Sequence, residues 1–304
     1  MKPSRVVRWI ILILAIAGLA YAYYPPFRLF TWVVAGRSPV CTLEAALKSE
    51  QNLQRQVEYK DQILNASKML QADPKGFEQW ETPNGTYWVP AGSRYVLPFN
   101  LAEQKRKIYG VGDYGPHAGD ITLDCGSNVG VTVHEELAAG AKTVVAIEPA
   151  PENLECLRRN YPAEIKTGRV IIVPKGVWDK EDFLTLRVDP KNSAADSFVI
   201  KREGAVDLEK VPLTTIDKLV AELKLPRVDY IKLDIEGAEP NALQGARETL
   251  AKYKPRISIA SYHQPDHPRV IPEIIRAARP DYTMACGPCA ETEHSIRPDV
   301  LYFK

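Results

Sequence analysis

A doubly wound α/β fold is predicted for this chain of 304 residues by two stretches and by the rhythm between them. The first, Ile121 to Glu148, reads as an apolar strand, a tight turn Gly126-Ser127-Asn128-Val129-Gly130, a helix and a second β-branched strand. Each of its strands ends on a carboxylate, Asp124 and Glu148. The second stretch, Val228 to Leu233, is a buried strand running into Asp234-Ile235-Glu236-Gly237 and a helix. Around them strand-length and helix-length segments alternate, the pattern of a sheet with helices on both faces. Ligands of such sheets bind outside the carboxyl ends of the strands, where the strand order reverses, so these carboxylates mark the expected site.

From the N-terminus, Trp9 to Tyr24 is uncharged and almost wholly apolar, and it follows Lys2, Arg5 and Arg8. It is shorter than the roughly 20 residues of a comfortable membrane span. Arg8 can nevertheless snorkel, and Trp9, Tyr21, Tyr23 and Tyr24 suit the interface. Ala20-Tyr21-Ala22 resembles a signal-peptidase site, so a secreted chain with a cleaved leader is the alternative. A second apolar patch, Phe27 to Ala35 after Pro25-Pro26, favours a retained single-pass anchor over residues 1–40, touching the membrane through residues 9–24. Lys2, Arg5 and Arg8 favour a cytoplasmic N-terminus and a catalytic domain beyond the membrane, but Arg28 and Arg37 nearly balance them.

Thr42 to Asp73 reads as one or two polar helices, with Leu43, Leu47, Leu53, Val57, Leu64 and Leu70 at loosely helical spacing. They form a stalk or linker over residues 41–79, closed by Pro74-Lys75-Gly76, and residues 80–304 form the main domain. Trp80 to Leu97 is β structure around the hairpin turn Asn84-Gly85. Leu101 to Tyr109 is a short helix, and Gly110 to Gly119 is a loop. Ala150 to Asn160 is a helix opened by prolines, Val170 to Val173 the third strand, and Phe183 to Val188 another strand. A helix over Ile216 to Leu223 precedes the fourth strand, Val228 to Leu233, and a helix to Tyr253 follows it. Arg256 to Ala260 is the fifth strand, ending in Ser261-Tyr262-His263. Pro272 to Ala278 is helical, and Tyr282 to Ala285 with Val300 to Phe303 closes the sheet as an antiparallel pair.

Composition narrows the function. A net charge of +1 with scattered Lys and Arg gives no footprint for nucleic acid. Five cysteines are too few for a disulfide scaffold. Cys286-Gly287-Pro288-Cys289 lies between two expected antiparallel strands, so it reads as a turn rather than a redox pair. His294 is its only close partner for zinc. Nothing in the pattern specifies an oligomer.

The glycines discriminate between cofactors. A dinucleotide site needs Gly-x-Gly-x-x-Gly, because backbone must approach a pyrophosphate at a helix N-terminus. Here only Gly126 and Gly130 are present. Asp124 repels a pyrophosphate but suits an ammonium or sulfonium, and Glu148 is spaced to hold a ribose diol. S-adenosylmethionine therefore fits better than NAD, although an NAD-dependent oxidoreductase and a non-catalytic membrane-tethered module remain the alternatives.

Four blocks in order, LDCGSNVG, AIEPAPENLECLRRN, VPLTTIDKL and DYIKLDIEGAEPNALQGARETL, resemble the FkbM family of S-adenosylmethionine-dependent methyltransferases over roughly residues 119–263. The resemblance implies a seven-stranded, Rossmann-like class I methyltransferase sheet with a reversed C-terminal hairpin, and methyl transfer to a hydroxyl of a small-molecule, sugar or lipid-linked acceptor. It implies that Asp124, Gly126, Asn128 and Gly130 form the cofactor turn, Glu148 holds the ribose and Asp179 lies near the adenine. Asp234 would face the methionine or the acceptor. The chain departs from the family's usual pattern in its N-terminal segment, and in Ser261-Tyr262-His263 where a carboxylate usually precedes the histidine.

Three residues are candidates for catalysis. A neutral His263 at the edge where the methyl arrives would accept the hydroxyl proton, oriented by Asp234, with Glu236 as a further carboxylate. Glu239, at a helix start, reads as a cap. Asp234, Glu236 and His263 are suitable metal-ligand types, but no local spacing motif supports a metal, and none is expected.

Overall fold

The computed structural model describes residues 4–93, 95–110, 112–189, 192–292 and 295–304. Its centre is a seven-stranded sheet. In chain order the strands are β1 (Ile121–Cys125), β2 (Thr143–Ile147), β3 (Val170–Val173), β4 (Tyr230–Leu233), β5 (Arg256–Ala260), β6 (Met284–Cys286) and β7 (Val300–Phe303). Their spatial order is β6-β7-β5-β4-β1-β2-β3. β7 runs antiparallel to both β5 and β6, the reversed hairpin expected for a class I methyltransferase sheet. Residues of β1 are buried throughout, as a strand covered by helices on both faces requires.

The order reverses between β1 and β4, and the register there sets the site. Cys125 pairs with Ile147 on one side and with Leu233 on the other. Glu148 and Asp234, each one residue beyond its strand, therefore emerge at the same level beside the Gly126 turn. Leu123, Val145, Ile231, Ile257 and Phe303 anchor this level in the main core. The strand Asp182–Val188 is not part of the main sheet; it pairs with Val206–Thr214, which pairs on its other side with Gly176–Val177 in a separate three-stranded sheet.

The segment ahead of the sheet corrects two expectations. Leu43–Leu47 and Ser49–Ala66 are helical, but Lys68–Asp73 is a strand, antiparallel to Phe77–Thr82. Pro74-Lys75-Gly76 is thus a hairpin turn and not a helix stop: Gly76 adopts φ +88°, and the Asp73 carboxylate accepts from the Lys75 N–H. Met69, Gln71 and Ala72 pair with Trp80, Gln79 and Glu78, a tertiary override of a weak helical pattern. The strand Phe77–Thr82 also crosses position 79, so that boundary divides one small sheet, which Gly85–Pro90 completes.

At the N-terminus, the helix Arg5–Tyr23 has no buried residue and is long and apolar enough to cross a membrane. The next helix, Pro25–Val34, docks on the C-terminal hairpin of Cys289–Glu291 and Ile296–Pro298. Leu29 and Trp32 pack with Cys41, Ala46, Cys289 and Ile296. Arg28 donates two hydrogen bonds to Glu291, and the Trp32 indole donates to the Tyr21 hydroxyl. His294 lies outside the described residues, as does Lys2.

Cys289 is joined to Cys41 by a disulfide across 248 residues, so it is not half of a simple turn pair. Cys286 is left as a free thiol beside the Val40 carbonyl. Sequence spacing hid this because the partner lies in the other half of the chain. A cross-link over so long a loop restricts the unfolded chain strongly. Cys41→Ser is expected to cost about 2–4 kcal/mol, read as a lower urea midpoint that dithiothreitol reproduces in the wild type. Equal midpoints with and without reductant would exclude the bond.

Candidate active site

The turn after β1 works because of two glycines. Gly126 has φ +81°, and a Cβ on it would strike the Asp234 carbonyl, so only glycine lets the ends of β1 and β4 come together. Gly130, φ +97°, lies against the Tyr161 ring, and the Tyr161 hydroxyl donates to the Gly130 carbonyl. Between them Asn128 is itself left-handed at φ +49°, a conformation asparagine tolerates. That bend aims its N–H at Glu148 Oε2 (2.8 Å) and its amide Nδ2 at the Ser193 carbonyl (2.7 Å).

Glu148 is buried, and its other oxygen accepts from the Ala150 N–H and from Asn153 Nδ2. Burial raises its pKa, and the hydrogen bonds from Ala150, Asn128 and Asn153 oppose the rise. Each carboxylate oxygen has two lone pairs, so Glu148 can brace the turn and still accept a hydroxyl. The side-chain oxygens of Asn128 and Asn153 are buried beside it without partners. Unpaired acceptors in a narrow cleft are what a polar ligand would complete, so the residues present fit the ammonium and ribose of S-adenosylmethionine. Asn153 and Ser193 are members of this group that sequence reasoning missed; Ser193 lies in a loop with no pattern to read.

Asp124 is placed differently from its expected role. Its carboxylate is completely buried under the turn, 3.1 Å from Lys232 Nζ, and does not line the cleft. Lys232 also donates to the Gly126 carbonyl. Burial penalises the Lys232 charge, but Asp124 and Asp234 more than offset that and hold it above the usual lysine range. The positive partner expected from a ligand is thus supplied by the neighbouring strand. A lysine inside the apolar run of β4 was the missed signal, because a buried ammonium requires a counter-charge. Asp179 is also absent from the cleft: its carboxylate accepts from Asn241 Nδ2 at an exposed position.

On the other side of the turn opens a cleft of about 520 Å³, lined in part by Tyr95, Phe99, Asn100, Arg202, Asp234 and Glu236. Asp234 Oδ2 accepts from the Tyr109 hydroxyl at 2.8 Å, and Oδ1 lies 3.4 Å from the Tyr262 hydroxyl. Glu236 is left-handed at φ +54°, a backbone state that turns its carboxylate into the cleft, where Arg202 holds Oε2 at 2.5 Å. Glu103, on the helix Val96–Lys105, was not anticipated. Burial and the Asp234 charge push its carboxyl up to about 8.

The structure brings His263, Asp234 and Glu236 together as expected. His263 Nδ1 is 2.8 Å from Glu239 Oε1, while Nε2 lies 3.5 Å from Asp234 Oδ1 and 3.4 Å from Glu236 Oε1. Burial by itself would lower the His263 pKa, yet Glu239, Glu236 and Asp234 reverse this and raise it well above the ordinary range. That rise works against the neutral imidazole that a general base at this position would need. Glu239 is more than a cap. It is fully buried, accepts from the Ile235 and Gly237 N–H groups, and holds His263. Its partner lies a strand away, which no helix-start rule reveals.

The model of the methyltransferase FkbM domain matches residues 124–283. A hexuronic acid methyltransferase, AglP of Haloferax volcanii, is 24% identical over 160 residues, 53% of this chain and 63% of the relative, so the alignment spans less than two thirds of that protein. Among solved structures, a methyltransferase FkbM from Methylobacillus flagellatus superposes with a TM-score of 0.46 and 18% identity, over 86% of this chain and 62% of the other. A precorrin-6y C5,15-methyltransferase from Geobacter metallireducens gives 0.35 and 13%, over 62% and 79%.

Proposed function

The chain belongs to the FkbM methyltransferase domain family, and from that premise we propose that it is an S-adenosylmethionine-dependent O-methyltransferase acting on a sugar-like hydroxyl. The observation that carries this reading is the meeting, at the carboxyl ends of β1, β2 and β4, of two unlike surfaces. One is the Asn128–Glu148–Asn153 group with unfilled acceptors; the other is the carboxylate pair Asp234 and Glu236 that lines the wider cleft, with His263 beside it. When bound, S-adenosylmethionine supplies an electrophilic methyl group on a sulfonium. Glu148 and Asn128 would fix the ribose and head group beside the Gly126 turn. Asp234 and Glu236 would accept hydrogen bonds from the acceptor hydroxyl and draw off its proton, while most of the rate comes from holding the two reactants in line. Tyr95, Phe99 and Asn100 offer the mix of flat apolar and amide surface that suits a sugar ring, and Arg202 offers a cation to an acidic one. The hexuronic acid substrate of the Haloferax relative supports that acceptor class.

We also read the helix Arg5–Tyr23 as a retained anchor, since Tyr21 is hydrogen-bonded to Trp32 of the docked second helix. Loss of the leader would remove that contact.

Two measurements test the activity. Calorimetry on the full chain should register S-adenosylmethionine and not NAD; NAD alone would indicate an oxidoreductase, and neither a non-catalytic module. Incubation with methyl-labelled donor and a panel of hexuronic acids and neutral sugars should place label in an ether. Glu148→Ala is expected to weaken donor binding by about 1–3 kcal/mol, the loss of charge-assisted bonds to the ribose. Unchanged affinity in a folded variant would remove Glu148 from the donor site.

A further inference from the structure

One feature of the cleft is explained by neither donor nor acceptor binding. His263 Nε2 has no hydrogen-bond partner, although the side chain is only 2% exposed. It points between Asp234 Oδ1 at 3.5 Å and Glu236 Oε1 at 3.4 Å. A buried nitrogen left in that position is costly unless something sits between the three atoms. Its other ring nitrogen meets Glu239, a buried carboxylate pinned by two backbone N–H groups. A carboxylate behind the second nitrogen is the usual support of a metal-ligating histidine, fixing the tautomer and turning the free lone pair outward.

We infer that Asp234, Glu236 and His263 form a site for a divalent cation of the Mn²⁺ or Zn²⁺ type, which orients the acceptor through two adjacent oxygens. The cation part stands on these residues alone; the acceptor part rests on the methyl-transfer reading. Two ligand atoms about 2.0–2.1 Å from a tetrahedral cation lie roughly 3.3–3.4 Å apart, and around an octahedral one roughly 3.0 Å. The two histidine–carboxylate edges match within a few tenths of an ångström, and the three ligand atoms all lie within 4.8 Å of one another. Rotation of the carboxylates closes the remaining edge. An imidazole with two carboxylates suits first-row cations better than calcium or magnesium, which prefer oxygen throughout.

The surroundings divide the oxygens in the same sense. Tyr109 donates to Asp234 Oδ2 and Arg202 to Glu236 Oε2, which leaves Oδ1 and Oε1 on the histidine side. Asp234 and Glu236 both line the wide cleft, so the open coordination positions would face it, as in catalytic sites with three protein ligands. A vicinal diol, or a hydroxyl next to a carboxylate as in a sugar acid, provides two oxygens at chelating distance. The ligands come from the ends of β4 and β5, which is why no local spacing announced them.

The test uses the full-length chain in detergent, stripped with EDTA and titrated with MnCl₂ by calorimetry and electron paramagnetic resonance. One Mn²⁺ per chain is expected, with nitrogen modulation from the imidazole in its echo spectrum. Glu236→Gln, which preserves size, should weaken Mn²⁺ by about tenfold or more, and His263→Gln should remove the nitrogen signal. Glu273→Gln, on the exposed face of the helix His267–Ala278, should change neither. The site is overturned if the wild type binds neither Mn²⁺ nor Zn²⁺ at about 1 mM, or if both cleft substitutions leave binding intact in folded protein. Donor calorimetry on the same samples separates the two readings. Donor bound without any cation overturns this inference alone; cation bound without donor supports the site and overturns the methyltransferase reading.

Discussion

Asp234→Asn is expected to lower the methyl-transfer rate by roughly 10²–10⁴-fold while changing donor affinity little. Asparagine keeps the shape, and its side-chain carbonyl can still accept from Tyr109 at the 2.8 Å position. What it removes is the negative charge that faces the acceptor cleft, between the Tyr262 hydroxyl and His263 Nε2. An interaction made with the reacting hydroxyl should show in kcat rather than in the donor Kd. A single-turnover assay with labelled donor, run beside calorimetry, reads both quantities. If the variant keeps its kcat within about tenfold, Asp234 is not at the reacting centre. Catalysis would then rest on Glu236 and on positioning alone.

Lys232→Met is expected to destabilise the fold by about 3–5 kcal/mol, because it strands a charge rather than merely deleting a contact. Asp124 is wholly buried, and its only cationic partner among the described residues is Lys232 Nζ at 3.1 Å. Methionine fills the lysine's apolar path but leaves the carboxylate without compensation. Adding Asp124→Leu removes the stranded charge, so the double variant should recover much of the loss. Urea denaturation of the single and double variants measures this directly. A single-variant cost below about 1 kcal/mol, or a double variant no more stable than the single, would show that the pair is not what supports the turn.

The two expected losses differ in kind although the residues are neighbours on one strand end. Lys232 is buried against Asp124, where its charge must be neutralised for the fold to hold. Asp234 lies one residue past β4, where the chain leaves the sheet and its charge can be offered to a ligand. The turn at Gly126 links them: its backbone receives the Lys232 ammonium and presses against the Asp234 carbonyl.

Much of this was legible in order along the chain. The strand–turn–helix–strand unit of residues 121–148, the buried strand ending at Asp234 and the closing antiparallel pair all follow from local periodicity and turn chemistry, which sequence carries explicitly. The site at the carboxyl ends of β1, β2 and β4 follows from topology, which the alternation of elements restricts to a few choices. What the sequence could not supply were partners across the fold. Asp124 was matched to a ligand because Lys232 is remote in the chain, and Asp179 was matched to the adenine although it pairs with Asn241 at an exposed position. Cys289 was read with Cys286 while its bond goes to Cys41, and Lys68–Asp73 became a strand because Phe77–Thr82 was there to pair with it. His263 was assigned a proton-accepting role without sight of the three carboxylates that converge on it and raise its pKa. Periodicity records which way a side chain faces, and so determines the elements and their order; the charge state and duty of a buried group depend on what lies within a few ångströms, which only the packed chain decides.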